Sequence, residues 1–187
     1  MGIFQWNKSV HVINMSASHL SRCVVAKIFH TRELKFQPRN VSVSDFEWQT
    51  SERLSELAAS KKLVFDIRSL SPDKFSFPYH YHRNAEELFY IISGECSLRT
   101  PEGITRLRAG DLIHFASDAS GAHQLYNDTS EPCVYLDIRT FDGHDVADYP
   151  DSSKFGIAPE RQFYHNKPVD YFDGEDKVRD RWKNIGK

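Results

Sequence analysis

The sequence is short of the features that define several large protein classes. Its cysteines number three (Cys23, Cys96 and Cys133), an odd count with no Cys-x-x-Cys pair. A disulfide scaffold and a thiolate zinc knuckle are therefore not expected, and a reducing, cytoplasmic setting fits best. No apolar run approaches the roughly 20 residues of a membrane-spanning helix, and even residues 23–29 are interrupted by Lys27. No compact apolar stretch precedes a small-residue cleavage site, so no secretory signal is read. An excess of either charge is missing as well: 24 Lys and Arg stand against 26 Asp and Glu, for a net charge of −2. Such a balance produces no field to attract nucleic acid or an anionic membrane, and neither is expected as a partner. No helix-turn-helix pattern is found, which disfavours a DNA-binding regulator.

Aromatic residues, by contrast, are plentiful. With 13 Phe, 8 Tyr and 3 Trp among 187 residues, a single domain can fill its core without covalent staples. The first 36 residues stand apart, because Lys8, Arg22, Lys27, Arg32 and Lys35 face only one acid, Glu33. Acid-poor, serine-containing starts are found in transit peptides, but no helical face here is clearly apolar. Residues 1–39 are read as an N-terminal arm, with Met15 as an alternative start, able to add a strand to a neighbour's sheet in a homodimer.

From about residue 40 the chain consists of short apolar runs divided by turn signals. Strands are predicted over residues 62–68, 87–92, 96–99, 104–108, 111–115, 123–127 and 133–139, and residues 51–61 are read as a short helix or a loop. Many short strands with Gly and Pro turns, and no alternating helices, predict an all-β sandwich or barrel.

Two stretches in that region could carry chemistry. In Pro78-Tyr79-His80-Tyr81-His82, strand alternation puts His80 and His82 on one face. Two neighbouring imidazoles can chelate a divalent metal, whereas two protonated ones repel. Glu86, Glu87 and Gly94 follow. The second stretch runs from Gly110-Asp111 to Gly121-Ala122-His123 and Asn127. A His-x-His pair alone is more often structural or exposed, and a lone His123 more often a packed residue. The whole set inside one all-β stretch weighs against both readings. His114 and His144 lack such company and are read as rim or loop residues.

Together, His-x-His-x4-Glu-x6-Gly (His80, His82, Glu87, Gly94) and Gly-x10-Gly-x-His-x3-Asn (Gly110, Gly121, His123, Asn127) resemble the two motifs of the cupin superfamily. Glu87 rather than Glu86 leaves the correct spacing to Gly94. The sequence departs from the second motif where Ala116 replaces the usual proline and the loop to Gly121 is longer, which puts the pocket rim in question rather than the ligands. The segment Asp145 to Lys154, of the form Asp-x-x-x-Tyr-Pro-Asp-Ser-x-Lys, resembles an extension found in a group of small single-domain bacterial cupins.

That resemblance implies a jelly-roll, double-stranded β-helix barrel over residues 40–140 with a C-terminal extension, 141–187, packing on it. It also implies a homodimer, and one divalent metal held by His80, His82, Glu87 and His123. Three imidazoles and a carboxylate suit Mn, Fe, Co, Ni, Cu or Zn. Phe89, Ile91 and Leu125 are expected to form an apolar wall around the metal. Residues 149–152 read as a turn, and the balanced charges after Asp170 as a solvated tail. Three functional classes follow: an enzyme acting on a small polar metabolite (isomerase, epimerase, dioxygenase or decarboxylase type), a non-catalytic module that binds or senses one, or a barrel whose metal is structural. No acid or base for catalysis stands out in the sequence.

Overall fold

The structure, a computed structural model, describes residues 26–39, 41–51, 53–165 and 167–185. Residues 1–25, most of the expected arm and the alternative start at Met15, lie outside the described residues. The strands, in chain order, are β1 (Gln37–Pro38), β2 (Trp48–Thr50), β3 (Leu63–Leu70), β4 (Lys74–Phe75), β5 (Tyr81–His82), β6 (Glu87–Ser93), β7 (Glu95–Thr100) and β8 (Gly103–Arg108). They continue with β9 (Leu112–Phe115), β10 (Gln124–Asn127), β11 (Cys133–Thr140), β12 (Asp145–Tyr149), β13 (Lys154–Ala158), β14 (Gln162–Tyr164) and β15 (Pro168–Val169). Two short helices, α1 (Leu54–Leu57) and α2 (Val178–Lys183), complete the described elements.

Two antiparallel sheets form the barrel, in the orders β1-β2-β3-β11-β6-β9 and β4-β10-β7-β8. Their inner faces meet because the strands alternate: in β6, Glu87, Phe89 and Ile91 are buried while Tyr90 is exposed. Leu70, Phe89, Phe115, Cys133 and Tyr135 from the first sheet pack against Cys96, Leu98, Leu107 and Leu125 from the second. Gly94 turns β6 into β7 at φ +77°, and a Cβ there would lie 2.4 Å from the Pro132 carbonyl oxygen, so the motif glycine is required by both dihedral and space. The arm's described end, β1, pairs with β2 of its own chain.

The extension builds a third sheet, β15-β14-β13-β12-β5, which takes β5 from the barrel's first motif. A second core joins Phe46, Trp48 and Phe75 to Phe172, Val178 and Trp182 of the C-terminal segment. This overturns the reading of that segment as a solvated tail. Its charges hid an apolar pair, Val178 and Trp182, one helical turn apart on α2. The Trp182 Nε1–H donates to Gln124 Oε1 at 2.6 Å, beside His123. Lys154 and Glu175, both wholly buried, pair at 2.7 Å and fasten β13 to the segment that leads into α2. Residues 149–152 do form a turn, closed by a Ser152 N–H bond to the Tyr149 carbonyl.

Candidate metal centre

The site is assembled where the end of the first motif meets the start of β10. His80 and His123 exchange backbone hydrogen bonds of 3.2 and 2.9 Å, outside any long strand, and this brings their rings to 4.8 Å. Glu87 opens β6, opposite both Arg139 of β11 and Phe115 of β9. The Phe115 ring stacks on His123 at 3.8 Å, and the Tyr149 ring lies near parallel to His80 at 5.7 Å. His82 sits in β5, paired with Ala147 of the extension.

Of the four expected ligands, His80, Glu87 and His123 are buried and present ligand atoms within 4.8 Å of one another. His82 lies beside this trio, with Nε2 3.5 Å from Glu87 Oε2 and its ring 5.1 Å from that of His80. Each imidazole is held through Nδ1, so that Nε2 is left for the centre. His80 Nδ1 donates to the Pro78 carbonyl and His123 Nδ1 to the Gly121 carbonyl, both at 2.9 Å. His82 Nδ1 donates to the Asp145 carboxylate. Outer partners of this kind fix tautomer and ring orientation in metal sites.

Glu87 Oε2 and His123 Nε2 are buried without a hydrogen-bond partner, although they lie 3.2 Å apart. Unsatisfied buried polar groups cost about 1–3 kcal/mol each. Two facing acceptors with a neutral imidazole beside them fit a divalent cation.

The electrostatics are uneven across the centre. Burial, with His123 and His82 nearby, holds His80 well below the ordinary histidine range, so it is neutral. Burial also disfavours charge on His82, but the Asp145 and Glu87 carboxylates outweigh it and raise its pKa to about 9. Glu87, against its own burial, is kept ionised by His123 and His82.

The centre opens into a cavity of about 440 Å³. Its polar lining includes Asp137, Arg68, Arg139 and Asp145, with Trp48, Tyr149 and Tyr171 among its aromatics. Phe89, Ile91 and Leu125 are wholly buried in the barrel core, and the Phe89 ring reaches the centre, edge-on to His123 at 5.3 Å. On the open side the cavity adds charged and aromatic side chains to aliphatic ones such as Val64 and Ile157. Asp137 pairs with Arg68 at 2.5 Å. Its pKa is raised to about 6 by burial, against the pull of Arg68 and with a further push from Glu87.

Sequence reasoning missed Asp137 and Arg139. The signal was present in β11, where Tyr135, Asp137 and Arg139 alternate onto one side of an otherwise apolar strand. Asp145 stood in the extension motif without an assigned role. His114 and His144 are exposed, facing Glu86 and Glu160 at 3.7 Å, as rim and loop residues do. Within the altered loop, Asp118 caps a short turn through the Ser120 N–H, and Gly121 packs directly on the Ala116 backbone.

Two antiparallel sheets closed around a buried His-Glu-His trio define a double-stranded β-helix protein with a candidate metal centre. Residues 67–139 match the sequence family described as Cupin domain, so the chain contains a cupin domain over that stretch. No curated protein matches the chain. Among solved structures, it is similar to a protein from Acidithiobacillus ferrooxidans named provisionally as a sugar phosphate isomerase, with 23% identity, a TM-score of 0.65, and coverage of 79% of this chain and 92% of that one. A sugar phosphate isomerase of the cupin superfamily from Silicibacter pomeroyi is 18% identical, with a TM-score of 0.65 over 78% of this chain and 98% of that one. A polyketide cyclase from Streptomyces resistomycificus is 16% identical, with a TM-score of 0.52 over 63% of this chain and 81% of that one. At these identities the likeness is one of fold. No helix among the described residues is long and apolar enough to cross a membrane.

Proposed function

We propose that the protein binds one divalent transition metal through His80, His82, Glu87 and His123 and acts as an enzyme on a small polar metabolite held in the adjoining cavity. The observation that carries this reading is the pair of buried acceptors without partners, Glu87 Oε2 and His123 Nε2, with Glu87 in the wall of a cavity large enough for such a ligand. When bound, the metal would supply Lewis-acid polarisation of a substrate oxygen. The chain's own residues would exclude water with the Tyr149 and Tyr171 rings and offer a proton-carrying group at Asp137.

A carboxyl group with a pKa near 6 is matched to moving protons at neutral pH. Among isomerase, epimerase, dioxygenase and decarboxylase chemistry, that favours the first two. A non-catalytic binding module is the second reading, and it would leave Asp137 as no more than the partner of Arg68. A cytoplasmic homodimer completes the proposal.

Elemental analysis of protein purified without chelator tests the centre, with about one transition metal per chain expected. Substituting His80→Ala and His82→Ala together should abolish it. Full occupancy in that double variant would overturn the assignment.

A further inference from the structure

Four arginines line the cavity: Arg39, Arg68, Arg139 and Arg161. Two of them are answered by carboxylates, Arg68 by Asp137 at 2.5 Å and Arg139 by Asp145 at 3.7 Å. Arg39 and Arg161 form no ion pair and no side-chain hydrogen bond among the described residues. They come from segments far apart in the sequence. Arg39 follows β1 and bonds through its backbone N–H to the Trp48 carbonyl, while Arg161 sits in the turn between β13 and β14.

Guanidinium groups repel, so gathering them without counter-charge is unfavourable in a half-enclosed space. The effect is visible at Arg39, whose pKa is lowered by burial first and then by Arg161, Arg68 and Arg53, with Asp66 opposing. Arg161 is also held at φ +55°, a left-handed conformation that a glycine would adopt without strain. A second donor lies unused in the same wall. Trp48 Nε1, opposite Arg39, is buried and has no hydrogen-bond partner.

We propose that Arg39 and Arg161, with Arg68 behind them and the Trp48 indole N–H beside them, form a subsite for a phosphoryl dianion, so that the metabolite taken by the cavity is phosphorylated. Guanidinium forks match phosphate oxygens in pairs, and a dianion neutralises two of them where a carboxylate neutralises one. The subsite deepens the proposed function and rests on it, since it supposes that the cavity beside the His-Glu-His trio is the ligand site.

The test is binding of inorganic phosphate to the full-length protein, followed by calorimetry before and after chelator treatment. Phosphate should bind in both states, and Arg39→Gln or Arg161→Gln should each raise its Kd by about tenfold, the cost of one lost charge-assisted pair. Acetate should bind at least tenfold more weakly. Arg106→Gln, on β8 and paired with Asp128, should change nothing.

Phosphate binding that vanishes with the metal and ignores both cavity substitutions would place the anion on the metal, overturning the subsite and leaving the metal centre intact. Phosphate binding that depends on Arg39 and Arg161 in a protein with no metal at all would uphold the subsite and overturn the metal reading. Acetate binding as tightly as phosphate would overturn the phosphoryl assignment.

Discussion

Asp145, the first residue of β12, accepts the Nδ1 hydrogen bond of His82, the last residue of β5. The carboxylate is 2% exposed and also accepts the Asn84 backbone N–H at 3.1 Å. It therefore fixes both the tautomer of His82 and the turn that follows it.

Replacing this carboxylate tests whether the extension serves the metal centre. Asp145→Ala should lower metal affinity by about 10–100-fold, the usual effect of losing an outer partner of a ligating histidine. Asp145→Asn should keep the fold and lose less. Competition with a metal-chelating dye measures both variants, and unchanged affinity in Asp145→Ala would remove His82 from the ligand set.

A second outcome follows from the charge on His82. Its pKa of about 9 in the metal-free protein lies above the ordinary value of about 6.5. The Asp145 and Glu87 contacts therefore contribute stability that is fully present below pH 6.5. That stability is lost as pH rises through about 9. The melting temperature of chelator-treated protein should fall across this window, and less steeply in Asp145→Asn. Metal loading at pH 7.5 should also release one proton from His82 and none from the neutral His80. Calorimetry in buffers of different ionisation enthalpy counts that proton, and a count of zero would mean that His82 stays protonated and unligated.

The buried pair between β13 and the C-terminal segment yields a third outcome. Glu175 also accepts from Ser152 at 2.5 Å and from Arg181 at 3.3 Å. Lys154→Met would leave this carboxylate short of its closest cation, and removing one member of such a pair costs about 3–5 kcal/mol. Urea unfolding measures it. A loss below about 1 kcal/mol, the scale of an exposed pair, would mean that Arg181 alone compensates Glu175.

What could be read from the sequence was whatever lies on one strand or in one short stretch. The alternation in β6, the turn at Gly94 and the spacing of His80, His82, Glu87 and His123 are local patterns, and a strand period or a motif shows them directly. Asp145 beside His82 is not local, because it depends on β12 joining β5 across sixty-three residues. The docking of α2 was hidden for another reason: its two apolar residues stand among Arg179, Asp180, Arg181 and Lys183, so composition read the segment as polar. Arg39 and Arg161 share a cavity although β1 and the β13–β14 turn lie far apart in the chain. No period within either segment could report it.

The pairing of β5 with β12 also orders events during translation. His80, His82, Glu87 and His123 all leave the ribosome before Asp145, and the barrel strands through β11 can close on their own core by then. His82 has no Nδ1 acceptor until β12 emerges, and β12 is buttressed only when β13 pairs with it and Lys154 finds Glu175. A nascent barrel thus holds His80 and His123 on the Pro78 and Gly121 carbonyls while the orientation of His82 is not yet set. On the proposed four-ligand reading, the coordination is complete only once about the last quarter of the chain has been made.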